Sequence, residues 1–137
     1  MKPILNIILL VLIIMTNTIQ AEGTLSTKGS QPAEDSQTQL ATFAGGCFWC
    51  IESNMEKLPG VLEAISGYSG GKSDTADYQQ VSSGRTKHLE TVQIKYDSSK
   101  ISYMDLLAEF WRIIDPTDAE GSFVDRGYQY HSVIFYH

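Results

Sequence analysis

"HLETVQIKYD", residues 88–97, is followed closely by "ISYMDLLAEFWRIIDP", residues 101–116, and this pair sets the fold class. The first segment alternates. Glu90, Val92, Ile94 and Tyr96 share one side and Leu89, Thr91, Gln93 and Lys95 the other, because successive side chains of an extended chain point to opposite faces. The segment is therefore expected to be a strand. The second has apolar residues at helical spacing. Ser102 is placed to cap it, Asp105 completes a capping-box pattern, and Pro116 lies just past its end.

Working outward, "LATFAG" (40–45) is a short apolar run that ends in glycines, a strand signal. Phe48–Leu58 predicts a helix, with Ile51, Met55 and Leu58 at helical spacing and Pro59-Gly60 as the stop. "VLEAISGYSGG" (61–71) reads as a strand running into a glycine-rich loop, and 76–83 as a single helical turn. "YQYHSVIFYH" (128–137), rich in aromatic and β-branched residues, predicts a last strand. Strands mixed with two helices predict an α+β sandwich, with helices on one face of a mainly antiparallel sheet.

The 137 residues suffice for one domain, and no internal repeat is visible. Residues 1–21 have the layout of a secretory signal peptide: Lys2, an apolar run from Ile4 to Met15 broken only by Asn6, then a polar stretch ending at small Ala21. The run is too short to span a bilayer; an uncleaved anchor is the alternative. Residues 22–38, dominated by Ser, Thr, Gly, Pro and acids, read as a solvated linker, and the folded domain as 39–137. The expected location is the periplasm or the cell exterior. A formal charge of −6 argues against nucleic-acid binding.

The chain has two cysteines, both in "GGCFWCIE", residues 45–52. In an exported protein a static disulfide is the plain reading. A bridge enclosing two residues closes a very short loop and gains little, and a C-x-x-C pair is more often redox-active. Cys47 is expected where a strand ends and a helix begins, where unpaired N–H groups and the helix dipole favour a thiolate. Cys50 is expected on the same helix face, poised to condense with a sulfenic acid formed on Cys47. Alternatively Cys47 extends the Ile51–Met55 stripe as a small core residue. Gly45 and Gly46 weigh against that, since glycine lets a substrate approach the backbone.

Glu90 lies on the apolar row of its strand, where lost hydration raises a carboxyl pKa and makes it a general acid. The pattern is equally compatible with a carboxylate that turns to water and pairs with a lysine. Seven tyrosines include Tyr128, Tyr130 and Tyr136 near the end. A pair of phenols could hold a substrate oxygen, but spacing does not choose the pair. The histidines show no paired spacing for zinc.

"GGCFWCIE", "LPGV", "SGYSGG", "DYQQVSSGRTKHLE", "YMDLLAEFW" and "DPTDAEGSFVDRGYQYHSVIFY", in that order from about Ala41 onward, closely resemble the A-type methionine sulfoxide reductases, the peptide-methionine (S)-S-oxide reductases. The resemblance implies a ferredoxin-like α/β plait. It implies that Cys47 attacks the sulfoxide sulfur and becomes a sulfenic acid. Phe48 and Trp49 would line the pocket for the substrate methyl group, Glu90 would protonate the sulfoxide oxygen, and Tyr78 and Tyr130 would hydrogen-bond it. Asp125 would support the site. The substrate would be oxidised methionine, free or in proteins, as one epimer only, with no bound cofactor and a thioredoxin-like protein or small dithiol as reductant.

Two departures accompany the likeness. Glycine usually follows Phe-Trp, and here Cys50 does. Many members recycle with a cysteine far down a C-terminal tail, so Cys50 would be the resolving thiol, closing a Cys47–Cys50 disulfide. The chain also stops at His137, whereas members generally continue. That reads as a compact variant, a truncated product or a fragment. A truncated remnant that at most binds methionine sulfoxide, or an exported thiol–disulfide exchanger, are the competing functions.

Overall fold

The computed structural model describes residues 37–137; the signal-peptide reading (1–21), and all of the linker reading but Gln37 and Thr38, lie outside the described residues. In chain order come strand β1 (Thr38–Ala44), helix α1 (Phe48–Met55), strand β2 (Val61–Ser69), short helix α2 (Tyr78–Ser82), strand β3 (Leu89–Asp97) and helix α3 (Tyr103–Ile113). The two-residue strands β4 (Gly121–Ser122) and β5 (Asp125–Arg126) and strand β6 (Val133–Phe135) follow. No helix among the described residues is long and apolar enough to cross a membrane.

The main sheet has the order β2-β3-β1-β6, and each neighbouring pair is antiparallel. The unit β1-α1-β2 leaves a gap that β3 fills, and β3-α3-β6 leaves a gap that β1 fills. Two split β-α-β units interlocked in this way make the ferredoxin-like plait. The expected α+β class, with a mainly antiparallel sheet, is thus the one observed.

One face of the sheet holds the core. Ala41 and Phe43 of β1 and Val92, Ile94 and Tyr96 of β3 meet Ile51 and Met55 of α1 and Leu106 and Phe110 of α3. The Phe43 and Phe110 rings stack with centroids 4.8 Å apart. The capping box of α3 is formed: Ser102 Oγ accepts the Asp105 N–H at 3.2 Å and the Ser102 N–H donates to Asp105 Oδ2 at 3.0 Å. Such a cap contributes about 1 kcal/mol. Burying Leu106 and Phe110 contributes about 1.5–3 kcal/mol each, so packing rather than capping sets where α3 lies.

The clean alternation of β3 holds for its second half and fails in the first. Leu89, Glu90, Thr91 and Val92 are all buried. On the face away from the helices, Thr42 Oγ1 lies 2.8 Å from His137 Nε2, so the last residues cover part of that end of the sheet.

Three boundaries differ from expectation. Strand β1 begins at Thr38, which pairs with Asp97. Helix α1 ends at Met55, because the chain tightens into a turn in which Leu58 N–H donates to the Met55 carbonyl; Leu58 still packs on the core. Residues 128–137 are not one strand. Tyr128–Tyr130 form a 3₁₀ turn and only Val133–Phe135 pair with β1. Gly127, at φ 124, turns the chain, and buried Gln129 donates from Nε2 to the Ser82 carbonyl at 3.2 Å, drawing this segment toward α2 and out of the sheet.

Candidate active site

The site grows from the junction of β1 and α1. Gly45 and Gly46 are both buried, and protein crowds them. A Cβ on Gly45 would lie 2.7 Å from Ile114 Cγ2; one on Gly46, at φ 104, would lie 3.0 Å from Ser122 Cβ. The expectation that these glycines admit a substrate is therefore corrected: they admit the end of α3 and strand β4. That close fit brings the β4–β5 hairpin against the residue before Cys47.

Cys47 is the N-cap of α1, and its carbonyl accepts the Cys50 N–H at 3.0 Å. The thiol is half-buried, whereas Cys50, the third helical residue, is exposed. Burial pushes the Cys47 thiol up, while the backbone N–H groups of Trp49 and Cys50 pull it down. The net direction is up. The lowered pKa expected from the helix start is thus reversed, because desolvation outweighs the amides.

Glu90 is 1% exposed. Its Oε2 accepts the Phe48 N–H at 3.1 Å, an amide of the first turn of α1 that has no partner within the helix. The carboxyl thus caps, from strand β3, the helix that Cys47 opens. Burial pushes its pKa up first, the Phe48 amide pulls it back, and nearby Asp125 adds to the rise. Of the two readings of Glu90, the structure has the buried one.

Aromatic rings surround this carboxyl. Phe48 is buried, with ring centroids 5.6 Å from Tyr68, 5.6 Å from Trp49 and 6.5 Å from Tyr78. Trp49 and Tyr78 stack at 5.6 Å and 17°, both largely exposed. The Tyr130 phenol is pushed up by burial and then by Glu90, with smaller contributions from Asp125 and Tyr78. Tyr130, Tyr78, Asp125 and Glu90 therefore share one field. The sequence-predicted residues Cys47, Phe48, Trp49, Tyr78, Glu90, Asp125 and Tyr130 are brought together.

Tyr68 belongs to the same group and was not singled out from the sequence. It stands directly opposite Glu90 in the β2–β3 ladder. Burial and then Glu90 push its phenol up. Buried His88 fixes this corner: its Nε2 lies 2.9 Å from the Lys72 carbonyl oxygen, and its ring meets Tyr68 edge-on at 6.0 Å. The signal for Tyr68 lay in hairpin register, which "SGYSGG" alone does not give. Among the described residues, no three His, Cys, Asp or Glu side chains gather as a metal site.

A thiol, a buried acid and three phenols around an aromatic shelf suit attack on a polar group that must be protonated to react. The family model described as peptide methionine sulfoxide reductase matches residues 39–137. The peptide methionine sulfoxide reductase MsrA/MsrB of Vibrio cholerae is 60% identical over 99 residues, covering 72% of this chain and 26% of that protein. MsrA of Bacillus subtilis is 48% identical over 99 residues, covering 72% of this chain and 56% of that protein. The chain thus spans about half the length of that MsrA relative and about a quarter of the MsrA/MsrB protein. Among solved structures, methionine sulfoxide reductase A of Corynebacterium diphtheriae superposes with a TM-score of 0.69 at 30% identity, over 74% of this chain and 48% of that one. Mxr1 of Saccharomyces cerevisiae in reduced form gives 0.69 at 31% identity, over 75% of this chain and 61% of that one. On the family match and these relatives, the chain belongs to the peptide methionine sulfoxide reductase family.

Proposed function

We propose that this chain reduces the S-epimer of methionine sulfoxide, free or in proteins, to methionine, with Cys47 as nucleophile and Glu90 as acid. The observation that carries this reading is the single backbone joint that holds both groups: Cys47 caps α1 and the next amide, that of Phe48, is held by Glu90.

The chemistry follows from the protonation states. Burial keeps Glu90 protonated to a higher pH than an ordinary carboxyl. A sulfoxide oxygen leaves poorly until it is protonated, and Glu90 supplies that proton while Tyr78 and Tyr130 donate hydrogen bonds to the oxygen. Positive charge then develops at the substrate sulfur beside Cys47, which offsets the burial that holds the thiol protonated. The Cys47 sulfur attacks, the oxygen passes to it, and the substrate leaves as a thioether. The thiol proton returns to Glu90. The cysteine has been oxidised to the sulfenic acid and the sulfoxide reduced, so the step balances without a further reagent. Phe48 and Trp49 receive the methyl group.

Recycling is assigned to Cys50. Cys47 and Cys50 hold the N-cap and third positions of α1, the pair of positions that Ser102 and Asp105 hold in α3. Cys50 lies near enough for its charge to act on the Cys47 thiol. It attacks the sulfenic sulfur, releasing water and forming a disulfide, and its exposure leaves that disulfide open to a thioredoxin-like protein or small dithiol. Cys50→Ser will retain one reduction per chain in a single-turnover assay but lose at least tenfold, on the order of 1.4 kcal/mol, in thioredoxin-driven steady-state rate. An unchanged steady-state rate would remove Cys50 from the cycle. Residues 1–21 are proposed to direct export, with the residues from 22 up to the start of β1 at Thr38 as a tether to the domain.

The test of the function is incubation with racemic methionine sulfoxide and a small dithiol, followed by chiral separation. Loss of the S-epimer alone is the expected result. Consumption of neither epimer would favour a remnant without turnover. Dithiol exchange without sulfoxide loss would favour a thiol–disulfide exchanger.

A further inference from the structure

The hairpin that presents Asp125 has an apolar tip for which the reaction has no use. Strands β4 and β5 pair Ser122 with Asp125, so Phe123 and Val124 form the two-residue turn. Phe123 has φ 55, the single positive φ outside glycine among the described residues. Glycine is the residue such a hairpin turn ordinarily takes at its first position, and a bulky L-residue there is strained. Burial does not compensate for the strain: Phe123 is 58% exposed and Val124 is 90% exposed.

The base of this hairpin is held firmly. Ser122, 2% exposed, accepts the Asp115 N–H on Oγ at 3.2 Å, and Gly127 N–H donates to the Glu120 carbonyl at 2.9 Å. Arg126 pairs with Asp118. The hairpin rests on Gly46, the residue before Cys47, while the exposed Trp49–Tyr78 stack rests on Phe48, the residue after it. Asp125, which follows this turn, acts by its charge on Glu90 and Tyr130, so the apolar tip adjoins the site.

We propose that Phe123 and Val124 are a docking lip for the polypeptide that flanks a protein-bound methionine sulfoxide, favouring an apolar residue beside the oxidised methionine. The proposal rests on the reductase reading above and names the substrate class that the site would prefer. Two side chains are far too small an area for a stable dimer, which needs roughly 800 Å² per partner, and a chain of charge −6 is not drawn to an anionic membrane. An extended peptide whose methionine sulfoxide side chain occupies the site needs only one or two neighbouring contacts.

The test compares the wild-type chain with the double variant Phe123→Gly/Val124→Ser on two pentapeptides, each with a central methionine-S-sulfoxide, one flanked by leucine and one by serine. The wild type is expected to show kcat/KM about tenfold higher on the leucine-flanked peptide, as partial burial of one apolar side chain supplies, and the variant a ratio near one. A wild-type ratio near one, or a preference that survives in the variant, would overturn the lip. If the wild type turns over neither peptide, the reductase reading fails and the lip is read separately. Binding of the leucine-flanked methionine peptide, followed by tryptophan fluorescence, should then be about tenfold weaker in the variant, and equal binding would overturn the lip. Self-association of the wild type that the double substitution abolishes would assign the tip to a second copy instead and also overturn it.

Discussion

Cys47→Ser will fold as the wild type does and will reduce no methionine sulfoxide, a loss on the order of 10⁴-fold or more when the nucleophile of a covalent mechanism is removed. The chain's other thiol, Cys50, is three residues along and exposed, whereas Cys47 directly precedes the amide that Glu90 holds. A serine hydroxyl cannot accept the oxygen as a sulfenic acid does. The substitution is informative because of where Cys47 sits. It caps α1 without a capping hydrogen bond from its side chain, and serine is among the best N-cap residues, so helix α1 should gain up to about 1 kcal/mol. A dead variant with an unchanged or slightly raised thermal midpoint isolates the chemistry from the fold. The measurement is single-turnover reduction of the S-epimer together with a thermal melt. Residual turnover near the wild-type rate would remove Cys47 from the nucleophile's role.

The parts of this fold legible in the sequence are those with local causes. The alternation at 88–97 and the Ser102–Asp105 cap are each settled within a few residues, and β3 and α3 stand where they predict. The apolar row under Glu90 is compatible with a buried carboxyl and with one turned to water alike, and it is the fold that buries it. What escaped depends on contacts between distant segments. The run 128–137 reads as a strand until Gln129 ties its start to Ser82. Tyr68 faces Glu90 only through the register of a hairpin whose β2 strand is irregular between Val61 and Glu63. The acidity of Cys47 came out with the opposite sign because the helix start is visible in sequence and the burial that outweighs it is not. The glycines before Cys47 suggest access for a substrate, whereas it is Ile114 and Ser122 that approach them, a contact between distant segments that sequence does not show.

Glu90→Gln should separate activity from stability in opposite directions. The amide oxygen of glutamine can still accept the Phe48 N–H, so the start of α1 keeps its partner. The amide cannot release a proton to the sulfoxide oxygen, and loss of a general acid costs about 10²–10⁴-fold in kcat. Wild-type kcat/KM should fall as pH rises through the raised Glu90 pKa, and the variant should be low and flat across that window. Stability runs the other way. Because the folded pKa of Glu90 lies above its unfolded value, the native state binds more protons between the two, and stability is lost as pH climbs from the ordinary carboxyl value, about 4.3, through the folded one. Glutamine carries no such penalty, so the urea midpoint of the variant should match the wild type at low pH and exceed it at pH 7. A variant that keeps wild-type kcat would show that the proton comes from elsewhere. One that loses stability at pH 7 would show that Glu90 is ionised and held in place, with its hydrogen bond to α1 as its main task.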